Sequence, residues 1–264
     1  HLLSRRQRQM CIRDRDMAKR PRYQGAGSST INPYRLTNLL DCLKEQGIEC
    51  SYAQGYERVE SENDVTLREE AIKVAKNSEL VILCVGLTEN FESEGMDRFT
   101  LDIPANQNKL IEEICKVNRK VVIVLSNGSP ILMPWKDNVQ AIITGYLGGE
   151  AGAEAMVNCL TGKVNPSGKL AETYPLSLED TPCYNYYPGT EVSVEYKESI
   201  YVGYRYYDKI SKNVLFPFGY GLSYTTFEYS NLNVDEAEEN IIVRFKIKNT
   251  GKVAGKEIAQ VYIG

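Results

Sequence analysis

Val81-Ile-Leu-Cys-Val-Gly-Leu-Thr-Glu-Asn-Phe-Glu-Ser-Glu-Gly-Met-Asp-Arg-Phe-Thr-Leu-Asp-Ile-Pro104 is the stretch on which the fold turns. It begins with consecutive apolar residues, Val81 to Val85, the pattern of a strand buried on both faces. It closes on Pro104, which suits the first turn of a helix. The loop between them carries Glu89, Glu92, Glu94, Asp97 and Asp102 with one base, Arg98. In an open α/β sheet, ligands sit beyond the carboxyl ends of the strands. This loop is therefore the first place to look for chemistry.

Upstream, Asp64 to Asn77 has the spacing of a helix that turns Leu67, Ala71, Val74 and Ala75 inward. Ile48 to Ala53 reads as a short strand. A further helix is expected before it, capped by Asn32, opened by Pro33, apolar along Leu36, Leu39, Leu40 and Leu43, and stopped by Gly47. The preceding Tyr23-Gln-Gly-Ala-Gly-Ser-Ser-Thr30 is either a plain turn or an anion cradle before a helix. It lacks both the third glycine of a dinucleotide site and the lysine of a P-loop, which makes a nucleotide-binding domain the weaker reading.

Downstream, a helix is expected from Pro104 to about Val117, buried through Leu110, Ile111 and Ile114. Strands follow over Lys120 to Leu125, broken by Ser126-Asn-Gly-Ser-Pro130, and over Val139 to Thr144. A last helix runs from about Glu150 to Leu160 and is closed by Gly162. Such alternation implies an α/β fold with a mostly parallel sheet covered on both faces by helices.

The character changes after Asn165-Pro-Ser-Gly168. Eleven of the 18 Tyr lie between Tyr184 and Tyr229. They could stack on sugar rings or seal a junction between domains. From Phe227 on, period-two alternation over Ile241 to Lys248, a turn at Asn249 to Lys252 and renewed alternation over Ile258 to Ile263 read as the first strands of an antiparallel sandwich. They are too few to close two sheets.

Composition narrows the function. The 264 residues carry a formal charge of −4. Residues 1–16 hold five Arg against two Asp, which leaves 26 bases and 33 acids, a net −7, for the remainder. An acidic body argues against nucleic acid as the main partner. No apolar run approaches the ~20 residues of a membrane-spanning helix, so no membrane is expected as a partner. Residues 1–16 fit nothing after them and read as a disordered basic tail or a non-native leader. The only His is His1, which removes Ser-His-Asp and Cys-His chemistry and most zinc sites. Neither a metal nor a cofactor is expected. The seven Cys show no Cys-x-x-Cys spacing, and their odd, scattered placement suggests a reducing compartment, hence a cytoplasmic location.

Chemistry then rests on the acidic loop. Closely spaced carboxylates, once partly buried, can hold one another protonated. A carboxylic acid kept protonated can donate to a leaving oxygen. Glu92, Glu94, Asp97 and Arg98 are the candidates, and a solvated acidic surface loop is the plain alternative.

The residues carry a resemblance as well. Glu94-Gly-Met-Asp-Arg98, with Leu101, Pro104, Gln107 and Leu110 after it, is similar to the C-terminal region of glycoside hydrolase family 3 β-glucosidases. So are Pro21-Arg-Tyr-Gln-Gly-Ala-Gly-Ser-Ser29, Tyr146-Leu-Gly-Gly-Glu-Ala-Gly152, Leu160-Thr-Gly-Lys-Val-Asn-Pro-Ser-Gly-Lys-Leu170, Tyr201-Val-Gly-Tyr-Arg-Tyr-Tyr207 and Phe216-Pro-Phe-Gly-Tyr-Gly-Leu-Ser-Tyr224. Together they cover nearly everything from Met17 to Gly264.

The resemblance implies an α/β sandwich domain over residues 17–217 and the start of a fibronectin type III-like domain over 218–264. An N-terminal (β/α)8 barrel, absent from this sequence, would precede them and carry the nucleophilic Asp. It implies Glu94 as acid/base, with Glu92 in reserve and Asp97 and Arg98 fixing the loop or lining the site. The substrate implied is a β-linked oligosaccharide or an aryl or alkyl β-glucoside. A homo-oligomer is left open. The competing reading is a non-catalytic carbohydrate-binding or scaffolding module on the same fold.

Overall fold

The structure is a computed structural model that describes residues 17–19 and 21–263. The proposed leader, residues 1–16, lies outside the described residues. The element order is α1 (Leu39–Glu45), α2 (Asp64–Lys76), β1 (Val81–Gly86), α3 (Ala105–Val117), β2 (Val121–Ser126), β3 (Ala141–Thr144), α4 (Gly152–Leu160), α5 (Tyr204–Lys209), β4 (Phe227–Ala237) and β5 (Asn240–Asn249).

Strands β1, β2 and β3 form one parallel sheet in that order. Val81 pairs with Val121 and Val85 with Leu125, while Ile123 pairs with Ile142. Every residue of β1 is buried. Because side chains alternate across a strand, Val81, Leu83 and Val85 enter one core while Ile82 and Cys84 enter another. Helices α2 and α3 cover the first face with Ala71, Ala75, Leu110, Ile111 and Ile114. Helices α1 and α4 cover the second with Leu39, Cys42, Leu43, Val157 and Leu160. The apolar runs of β1 and β2 follow from this two-sided burial.

Four expectations are corrected, the last of them in the C-terminal hairpin region. Helix α1 starts at Leu39, not at Pro33, and its cap is Asn38, whose side chain accepts from the Asp41 amide at 2.9 Å. Residues 32–37 are instead tied to the segment before α4. The Thr37 amide and hydroxyl donate to the Glu150 carbonyl at 3.0 and 2.8 Å, and the Tyr34 amide donates to the Glu150 carboxylate at 2.6 Å. Ile48 to Ala53 joins no sheet. Ile48 and Cys50 pack on the second core and Ala53 enters the first, so the segment wraps the sheet edge without pairing to β1. Helix α4 begins at Gly152, two residues later than expected.

Strands β4 and β5 form an antiparallel pair, Phe227 opposite Asn249, with a register shift between Ser230 and Asn233. The alternation over Ile258 to Ile263 does not become a strand. Ala259 to Ile263 instead help line a groove with Tyr229, Val243 and Phe245. Asn165 and Lys169 tie this hairpin region to the α/β body. Asn165 Nδ2 donates to the Ala254 carbonyl at 3.0 Å, and Lys169 Nζ lies 3.4 Å from Glu257 with both side chains largely buried. Tyr204 stacks on Phe218 and meets Tyr262 edge-on, which brings part of the Tyr-rich segment against the chain after β5.

Candidate active site

Parallel strands place their following loops on one edge of the sheet. Here the loops after β1 and β2 meet there, and the segment Pro21 to Ser29 lies against them. The loop after β1 turns at once, because the Phe91 and Glu92 amides both donate to the Thr88 carbonyl, at 2.9 and 3.1 Å.

Glu94 stands exposed near the apex of this loop. Its Oε2 accepts from the Ser28 hydroxyl at 2.6 Å and from the Ser28 amide at 2.5 Å. The Gly-Ser turn thus does cradle an anion, and the anion is a carboxylate of the chain itself. Gly27 makes room for it. A side chain there would sit 2.6 Å from Glu94 Cβ, and the backbone at φ +87° favours glycine in any case. The Ser28 hydroxyl, then its amide, hold the Glu94 carboxyl below its ordinary value.

Glu92 is enclosed. Arg22 Nη1 meets its Oε2 at 2.5 Å, and the Gly128 amide donates to the same oxygen at 2.9 Å. The Ser129 hydroxyl donates to Oε1 through a short bond. Arg22 Nη2 also donates to the Glu92 carbonyl at 2.7 Å. Arg98 Nη1 donates to the Ser129 hydroxyl and to the Pro130 carbonyl, both at 2.8 Å. Burial pushes the Arg98 guanidinium below its ordinary value, opposed by the charge of Glu92. Asp97 accepts from the Tyr187 hydroxyl at 2.6 Å, which ties the loop to the Tyr-rich segment.

Among the described residues, the carboxyl that burial and crowding raise is Glu172, where burial acts first and Glu92 adds to it. Nearby, the fully buried Asn127 donates to the Tyr174 hydroxyl at 3.0 Å and holds its own turn through the Ser129 carbonyl at 2.9 Å. Nothing local in the sequence marks Arg22, Ser28, Ser129, Asn127 or Glu172 as functional. The only signal for the first two was their place in a recurring Pro21 to Ser29 pattern.

Residues 2–224 match the glycosyl hydrolase family 3 C-terminal domain. The chain belongs to glycoside hydrolase family 3. Relatives within the family include the thermostable beta-glucosidase B of Acetivibrio thermocellus, 49% identical over 93% of this chain and 33% of that protein. The exo-alpha-(1->6)-L-arabinopyranosidase of Bifidobacterium breve is 44% identical over 94% of this chain and 33% of its own length. Among solved structures, the family 3 beta-glucosidase of Bifidobacterium adolescentis superposes with a TM-score of 0.89 at 41% identity, over 94% of this chain and 37% of that one. The chain thus spans about a third of the length of these curated relatives.

Proposed function

We propose that this chain supplies the acid/base, Glu94, of a retaining, exo-acting β-glycosidase that removes terminal β-D-glucosyl residues. The nucleophilic Asp would come from a (β/α)8 barrel that this sequence does not contain. The observation that carries this reading is the contrast between two glutamates two residues apart. Glu92 has both carboxylate oxygens engaged, whereas Glu94 is exposed and takes its two bonds on one oxygen. A group that must give and then take a proton needs an oxygen the substrate can reach.

In the cycle, Glu94 protonates the leaving oxygen as the Asp attacks the anomeric carbon, and then deprotonates the water that releases the sugar. The Ser28 bonds favour the ionised form, which suits the second step. Displacement from Ser28 and desolvation under a covering domain would raise the carboxyl for the first. Asp97 and Arg98 brace the loop. Residues 218–264, with their antiparallel hairpin, are read as the start of a fibronectin type III-like sandwich. The glycone is inferred from the beta-glucosidase relatives, and the arabinopyranosidase among them marks the alternative.

The test is to replace the matched third of the Acetivibrio thermocellus enzyme with this chain. Wild type and Glu94→Ala are then compared on an aryl β-glucoside and on cellobiose. The expected loss in kcat/KM on cellobiose is about 10²–10⁴-fold. The loss should be smaller on the activated aryl substrate, where azide should restore turnover. Equal, small losses on both would move the role to Glu92 or reduce the loop to scaffolding, the non-catalytic reading. The chain alone should not turn over an aryl β-glucoside.

A further inference from the structure

We propose that Glu92 is a positioning residue: locked between Arg22 and Ser129, it holds the loop so that Glu94 lies over Ser28, and it transfers no proton itself. The consequence for turnover rests on the role proposed for Glu94; the geometry does not.

The lock engages both carboxylate oxygens of Glu92. The Arg22 and Glu92 side chains are only 2% and 18% exposed, so their pairing is largely out of water. Arg22 Nη1 also reaches the Leu87 carbonyl at 3.3 Å, at the root of the loop. On the opposite side, the Gly128 amide and the Ser129 hydroxyl take the two carboxylate oxygens. Gly128 is packed so closely that an added Cβ would stand 2.9 Å from Glu92 Oε2. The Ser129 hydroxyl, having donated to Glu92, accepts from Arg98. Glu92 and Arg98 thus pin the loop to the same turn after β2, and Glu94 sits in the span between them.

The pairing also sets a distance. Arg22 and Ser28 belong to one segment, Glu92 and Glu94 to another. Seating Glu92 on Arg22 therefore fixes where Glu94 can fall along the segment that carries Ser28. An acid/base role for Glu92 would require breaking a pair of charges that are mostly desolvated, a costly step in each turnover.

The experiment uses this chain with ¹³C-labelled glutamate. The Glu94 carboxyl and the Ser28 amide are followed by NMR against pH in wild type, Ser28→Ala, Glu92→Ala, Glu92→Gln and Ser129→Ala. In wild type the Glu94 midpoint should lie below the ordinary carboxyl range. Ser28→Ala should bring it back up. Glu92→Ala should move it nearly as far although Ser28 is intact, and Ser129→Ala and Glu92→Gln should move it partway. If Glu92→Ala does not fold, Ser129→Ala decides. An unmoved Glu94 midpoint and Ser28 amide in the folded variants would overturn the proposal.

In the chimera, Glu92→Gln should lower kcat by up to about a hundredfold with KM unchanged, the signature of a misplaced group. Full azide rescue of Glu92→Ala would also overturn it, since that marks the base itself. If the NMR shifts appear while Glu94→Ala leaves cellobiose turnover intact, the positioning stands and the catalytic assignment of Glu94 fails alone.

Discussion

Glu94 lies across the bare α-carbon of Gly27, so that a methyl group there would come within 2.6 Å of Glu94 Cβ. Gly27→Ala should therefore expel Glu94 from its seat as well as strain a backbone held at φ +87°. The strain is worth about 1–2 kcal/mol. The Glu94 midpoint should rise toward the ordinary carboxyl value, and Tm should fall. A variant with the wild-type Glu94 midpoint would show that the turn, not the side chain, can give way.

Glu172 gives a pH dependence with a definite sign. Burial holds its carboxyl above the ordinary 4.5, so the folded chain binds this proton more tightly than the unfolded chain. The contribution of this carboxyl to stability is then full below 4.5 and is lost as pH rises through the higher folded value. Glu172→Gln removes the titration. Relative to wild type, it should be more stable at neutral pH than it is below 4.5. Urea midpoints on both sides of that window check it, and a constant difference would refute it.

The core facing α2 and α3 is tightly filled. Leu110 and Ile123 are both fully buried there. Leu110→Ala should cost about 2–5 kcal/mol through lost burial and the cavity left behind. Chemical denaturation with an unchanged m-value would report it cleanly.

Asn38 is the side-chain cap of a helix only seven residues long. Asn38→Ala should cost about 1 kcal/mol, and Asn38→Asp very little. Faster amide exchange confined to α1 would locate the effect. The same loss appearing throughout the sheet would mean that α1 unfolds with everything else.

How far the sequence could be read depends on where each signal sits. The strands at Val81 and Val121 are legible because two-sided burial writes an unbroken apolar run, while the half-buried strand at Ala141 shows only a short one. Helices α2 and α3 were legible within a residue because their apolar spacing and flanking Asn and Pro residues are local. Helix α1 starts later than its sequence indicates, since Asn32-Pro33 is a sound local start signal that the tertiary bonds from Tyr34 and Thr37 to Glu150 override. Ile48 to Ala53 looked like a strand because burial alone gives the same pattern as pairing. The acidic loop stood out by composition. Its partners did not, because Arg22 and Ser28 lie 70 and 66 residues before Glu92 and Glu94, and no spacing rule spans that distance. Crowded acids also suggested a raised carboxyl, whereas a hydroxyl and an amide lower that of Glu94.

The segment Pro21 to Ser29 has no helix or strand of its own, yet it supplies both Arg22 and Ser28. Anyone trimming this domain for expression by secondary structure would begin at Asn38, with the first helix cap. That product could retain its sheet, its four covering helices and a convincing circular dichroism spectrum. It would nevertheless have lost two of the residues that brace the acidic loop. Where to cut this domain is decided by a nine-residue ribbon that a spectroscopic folding assay cannot see.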